Sequence, residues 1–186
     1  MKLPRVALRG YARLRRFARD KRGISAVEFA MLLPLMITLY LGGVEISQAV
    51  AIDRKVTLIS RTLADLVAQV TTVAASDMTN ILAASAAIIA PYNSNNLKIT
   101  VSSVTIDSNS VAKIAWSKTL NGTARTVGSV VTLPSALAVA NTSLIWGEAN
   151  YGYTPTMGYV ITGTLTLSDQ IYMRPRLSDT VTCNAC

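Results

Sequence analysis

The chain has 186 residues, with 18 Lys and Arg against 10 Asp and Glu, two Cys and no His. The absence of His removes the commonest general base, no Gly-rich phosphate loop is present, and the acids show no paired spacing that proposes acid-base chemistry. A structural protein is expected, not an enzyme, with no cofactor and no metal.

The net charge of +8 is a local property. Residues 1–23 hold nine basic side chains (Lys2, Arg5, Arg9, Arg13, Arg15, Arg16, Arg19, Lys21, Arg22) against Asp20 alone; the remainder has nine basic and nine acidic residues. The sequence pI of about 9.8 therefore describes a leader. Within it, Leu3, Val6, Ala7, Leu14, Phe17 and Ala18 share one helical face and the basic residues take the others, a pattern that suits an anionic membrane surface. With no DNA-binding motif beside it, lipid contact is favoured over nucleic acid as the partner.

From Ile24 to Ile52 the chain is apolar apart from Glu28 and Glu45, and residues 29–44 carry no charge. At about 1.5 Å per residue, Ile24 to Glu45 covers roughly 33 Å, the thickness of a bilayer's hydrocarbon core. We read residues 24–52 as a single transmembrane helix. The basic leader places the N-terminus in the cytoplasm and the rest of the chain outside it. Ala49-Val50-Ala51 also fits a signal-peptidase pattern, so the alternative is an extracytoplasmic binding domain, either released by a cut after Ala51 or held by an uncleaved anchor.

Glu28 needs a partner, because a carboxylate inside an apolar span costs on the order of 2.5 to 3.5 kcal/mol near the bilayer centre, and less near the interface. A cut after Gly23 would put a new α-amino group on Ile24, one helical turn from Glu28. An uncleaved anchor would instead send Glu28 toward the headgroups. Pro34 reads as a kink that neighbouring helices absorb. Ala26 with Ala30, and Gly42 with Gly43, are small enough for close helix packing, although small residues are also common in any membrane helix.

In detail, residues 15–50, RRFARDKRGISAVEFAMLLPLMITLYLGGVEISQAV, resemble the TadE family of pseudopilins from tight-adherence (Flp) pilus systems. The basic leader, Gly23, Ala26-Val27-Glu28-Phe29-Ala30, Leu33-Pro34 and Gly43-Val44-Glu45 carry the resemblance. It implies processing by a prepilin peptidase between Gly23 and Ile24. It also implies a bacterial inner-membrane location, and partnership with other pilin-like subunits and the pilus assembly platform.

Beyond the span, Val56, Ile59, Leu63, Leu66 and Val70 recur at helical spacing with no Gly or Pro between, so the transmembrane helix is expected to extend to about Val70 as an amphipathic helix. A second helix is expected over residues 77–90, capped by Ser76 or Asp77, which makes 53–90 a helical segment. Residues 91–182 turn to Val, Ile, Thr, Ser and Tyr and should form a small antiparallel sheet. Its strands are expected at Leu97-Ile99-Val101, with a bulge before Val104-Ile106, at Ala112-Ile114-Trp116, and at Arg125 to Leu133 after an Asn121-Gly122 hairpin. A helical turn over residues 134–140 and a strand pair at Ser143 to Tyr153 and Tyr159 to Leu167 complete it. The sequons at Asn121 and Asn141 read as ordinary turns. The fold class is α+β, with the sheet packed on the extended helix as in pilins. In the tail 183–186, Cys183 and Cys186 form CNAC, for which a small disulfide is the simple reading outside the cytoplasm; a zinc site lacks its further ligands.

Overall fold

Between residues 22 and 68 apolar side chains recur every three or four positions and no Gly-Pro or Asn-Gly pair intervenes. The computed structural model describes residues 22–184 and Cys186, and it forms one helix here, α1 (Arg22–Ala68). The helix continues through Pro34, whose carbonyl accepts a hydrogen bond from the Thr38 hydroxyl at 2.8 Å. The amphipathic pattern of residues 2–19 lies outside the described residues, as does Ala185.

The chain divides into two compact units at Val44/Glu45. In the first, α1 leaves Ile24, Phe29, Met31, Leu35, Leu39 and Tyr40 between 54% and 77% exposed. Within the stretch 24–52 read as the span, Ile46 and Val50 are still exposed, at 52% and 47%. Glu45, Ala49 and Ile52 are buried within the second unit, because from Glu45 onward α1 has partners among the domain's own residues.

The second unit, Glu45–Cys186, holds the rest of α1, β1 (Thr72–Ala74), α2 (Ala75–Ala87), β2 (Leu97–Ile106), β3 (Ala112–Leu120), β4 (Val130–Val131), β5 (Thr142–Tyr153), β6 (Leu165–Met173) and β7 (Thr182–Asn184). Strands β4-β3-β2-β5-β6 make one antiparallel sheet, which with the helices gives the expected α+β class. A second, parallel pair, β1 with β7, was not foreseen; its strands are three residues long and carry no alternation to read. The segments 53–90, 91–182 and 183–186 all belong to this unit.

One face of the sheet packs on the helices. Ile52, Val56, Ile59, Leu63 and Val67 of α1, with Met78 and Leu82 of α2, form a core with Leu97, Ile99, Val101, Ile145, Ala149 and Tyr151. Gly147 is the point of closest approach: a Cβ there would stand 2.7 Å from the Ser60 carbonyl oxygen and 3.0 Å from Ala64 Cβ. On the other face Val104, Ile106, Ile114, Leu144 and Trp146 form a second cluster, with Leu133 and Leu137 packed against it.

These two clusters explain the apolar phase shift in β2. Its pairing with β5 is continuous, and residues 97, 99 and 101 face one core while 104 and 106 face the other. The irregularity falls at Ser103/Val104 as expected, but the register skips Ala115, so the extra residue is on β3.

Other boundaries moved for local reasons. α2 starts at Ala75 with Ala74 as its N-cap and no side-chain cap, in place of Ser76 or Asp77, and it ends at Ala87. Lys55 finishes it, donating to the carbonyls of Ile88 at 2.9 Å and Ala90 at 2.8 Å. Residues 134–140 form turns, with the Leu137 N–H on the Pro134 carbonyl, and no helix. Asn121 and Asn141 sit in turns with φ of 56° and 60°. Asn121-Gly122 does not close a two-residue hairpin: β4 pairs Lys113 with Val130, and Arg125 is drawn onto the sheet by other contacts. Its guanidinium makes two hydrogen bonds to Glu148, at 2.7 and 3.1 Å, and lies 3.8 Å over the Trp146 ring.

Candidate functional site

Three groups of residues stand out, two of them singled out by sequence. Gly23, Ile24, Ala26, Glu28, Ala30, Pro34, Gly42 and Gly43 all lie on α1 in the first unit, and Gly23, Ile24, Ala26, Glu28, Ala30, Pro34 and Gly43 are exposed there. Gly23 and Ile24 are helical neighbours, and Glu28 stands one turn further along. Ala26 and Ala30 share a helix face at a spacing of four, next to Phe29 at 57% exposure. Among the described residues, a Cβ added at Gly23 or Gly43 would meet no atom within 4 Å.

This arrangement offers an apolar helix of about 32 Å over residues 24–44, exposed over most of its length although Gly42 is buried, with one carboxylate near its start. By length and composition, α1 can cross a membrane. Its small residues leave shallow faces on which another helix can sit.

At the junction, sequence reasoning missed a second carboxylate. Glu45 reads there as an interruption of the apolar run. In the structure it is 5% exposed and its carboxylate accepts three backbone hydrogen bonds, from Tyr159 at 2.7 Å, Val160 at 2.9 Å and Ile161 at 3.1 Å. These bonds, with the Tyr159 one foremost, hold the Glu45 pKa below the ordinary glutamate range against the opposing effect of burial. The Tyr153 hydroxyl sits beside them, 3.1 Å from Gln48 Oε1 and 3.4 Å from the Glu45 carbonyl. Burial first, and then the Glu45 charge, raise its pKa. The same contacts correct the strand expected at Tyr159 to Leu167. The N–H groups of residues 159–161 go to Glu45 instead of a neighbouring strand, and β6 begins only at Leu165. The signals available were an acid, Glu45, in an otherwise uncharged stretch and, far along the chain, an uncharged loop flanked by Gly158 and Gly163.

The third group is the tail. Cys183 and Cys186 are joined by a disulfide with a Cα–Cα distance of 5.6 Å, and Cys183 lies in β7 opposite Val73. The segment before it is tied to the domain by Arg176, which pairs with Asp65 and donates its N–H to the Ala68 carbonyl, and by the Trp116 indole on the Val181 carbonyl. Among the described residues no group of three or more His, Cys, Asp or Glu is placed to hold a metal ion. An open groove lined by Asn95, Asn96, Lys98, Asn150, Thr154 and Thr166, among others, has Lys98 as its one charged lining residue.

No curated protein and no solved structure matches the chain significantly. The family model described as TadE-like protein matches residues 23–65, from the glycine before the apolar run to near the end of the helix face that packs on the sheet. Over that segment, which holds the exposed apolar helix, Glu28 and Glu45, the chain is similar to TadE-like proteins.

Proposed function

We propose that the chain is a membrane-anchored pseudopilin or minor pilin that serves the assembly of tight-adherence (Flp) pili and is processed by a prepilin peptidase after Gly23. The observation that carries this reading is the coincidence of the TadE-like match, which starts at Gly23, with an exposed apolar helix that has a single carboxylate, Glu28, near its start. The basic leader stays in the cytoplasm and the α+β domain stands outside it. The protein is structural and not catalytic, and its partners are lipid, the peptidase, other pilin-like subunits and the assembly platform.

Before assembly the bilayer covers residues 24–44. In a complex, helices of other subunits replace lipid over Ala26, Ala30, Pro34, Gly42 and Gly43, and the Ile24 amine pairs with Glu28 of a neighbouring subunit. Release by a cut after Ala51 is disfavoured, since it would remove Glu45 and Ala49, both buried in the domain. The test is Glu28→Ala: membrane insertion stays intact while assembly is impaired. Piliation at the wild-type rate in that variant would contradict the pairing.

A further inference from the structure

The loop between β5 and β6, residues 154–164, contains no charged residue, and the uncharged run around it extends from Ala149 to Ser168. Its outward side chains include Met157 at 68%, Tyr159 at 54% and Val160 at 51% exposure. Gly158 and Gly163, with φ of 62° and 86°, supply the left-handed turns that shape it. Exposed apolar side chains grouped on one uncharged loop are unusual for a solvated surface.

Val44 ends the exposed apolar helix, and Glu45 is the next residue. Because the Glu45 carboxylate holds the N–H groups of Tyr159, Val160 and Ile161 directly, the loop is within hydrogen-bond reach of the residue that follows the apolar segment 24–44. The three bonds satisfy the N–H groups of Tyr159, Val160 and Ile161 without water. Tyr is a residue type that favours the membrane–water boundary, with its ring among the acyl chains and its hydroxyl among the headgroups.

We infer that Met157, Tyr159 and Val160 dip into the interface of the bilayer that holds residues 24–44, so that the loop is a second, interfacial membrane contact clamped by Glu45. The inference rests on the membrane reading of residues 24–44. Glu45 acts here as a positioning residue: it sets the loop's depth without touching lipid itself.

The experiment uses the full chain in phosphatidylcholine–phosphatidylglycerol vesicles, with the Cys183–Cys186 disulfide kept oxidised so that only an introduced cysteine takes a nitroxide label. Labels go at Val160→Cys, at Leu35→Cys within the span, and at Val139→Cys, an exposed position just before the opposite end of β5. Collision with oxygen against a water-soluble nickel chelate reports depth. The inference predicts an oxygen-to-nickel ratio severalfold higher at 160 than at 139, approaching that at 35, and a fall at 160 toward the value at 139 when Glu45→Gln is added. A wet label at 160 with a dry one at 35 overturns the inference and leaves the anchor standing. Wet labels at both positions would overturn the anchor reading as well. A label at 160 that is dry only at high protein-to-lipid ratio would assign the loop to a second copy of the chain and also overturn it.

Discussion

Gly147 of β5 lies so close beneath α1 that an added Cβ would stand 2.7 Å from the carbonyl oxygen of Ser60. That oxygen belongs to helix backbone and cannot swing aside, so the helix would have to lift from the sheet. Gly147→Ala is expected to lower stability by about 1 to 3 kcal/mol. Thermal unfolding of the purified protein in detergent, followed by the near-ultraviolet signal of the tryptophans, measures this. An unchanged midpoint would mean that the helix and sheet tolerate a wider gap than their contacts indicate.

Acid sensitivity follows from two carboxylates. The Glu45 pKa is lowered chiefly by the Tyr159 N–H and its two neighbours; the Asp107 pKa is lowered chiefly by the Val111 N–H in the turn before β3. A carboxyl whose native pKa lies below its unfolded value, about 4.3 for Glu and 3.9 for Asp, binds its proton more readily in the unfolded chain. Its stabilising contribution is complete above the unfolded value and is lost as pH falls through the lowered native value. Urea midpoints should therefore be level between pH 6 and 5 and decline below about pH 4. Glu45→Gln should shallow that decline.

Lys55 links the two helices through the carbonyls of Ile88 and Ala90. Lys55→Met keeps the stem and removes the charge. It should cost about 1 kcal/mol, since hydrogen bonds from charged groups are worth more than neutral ones but this one is partly in water. Hydrogen exchange should quicken at Ile88 and Ala90 more than in β2.

Much of this arrangement could be read from residues alone. The long helix was legible because its periodicity runs from Ile52 to Val67 without a breaker, and β2, β3 and β5 because their β-branched runs are bounded by turn residues such as Asp107 to Ser110. What escaped depended on long-range partners. Glu45 reads as a flaw in a membrane span until the backbone of residues 159–161, more than a hundred positions away, is brought to it. The same bonds took the expected strand at Tyr159 away from the sheet. Arg125, placed by Glu148 and Trp146, likewise kept residues 125–129 out of a strand. The β1–β7 pair joins residues 110 positions apart and left no local pattern. For the site, Gly23, Glu28 and the apolar helix were visible in sequence, whereas the Glu45 clamp was not.

On the function proposed above, Gly23 and Ile24 mark a processing point on a membrane-held subunit. The most direct test is the intact mass and N-terminal sequence of the protein isolated from membranes, with and without a co-expressed prepilin peptidase. An N-terminus at Ile24 should appear, and only with the peptidase. Retention of the basic leader under both conditions, or an N-terminus at Ile52, would contradict it.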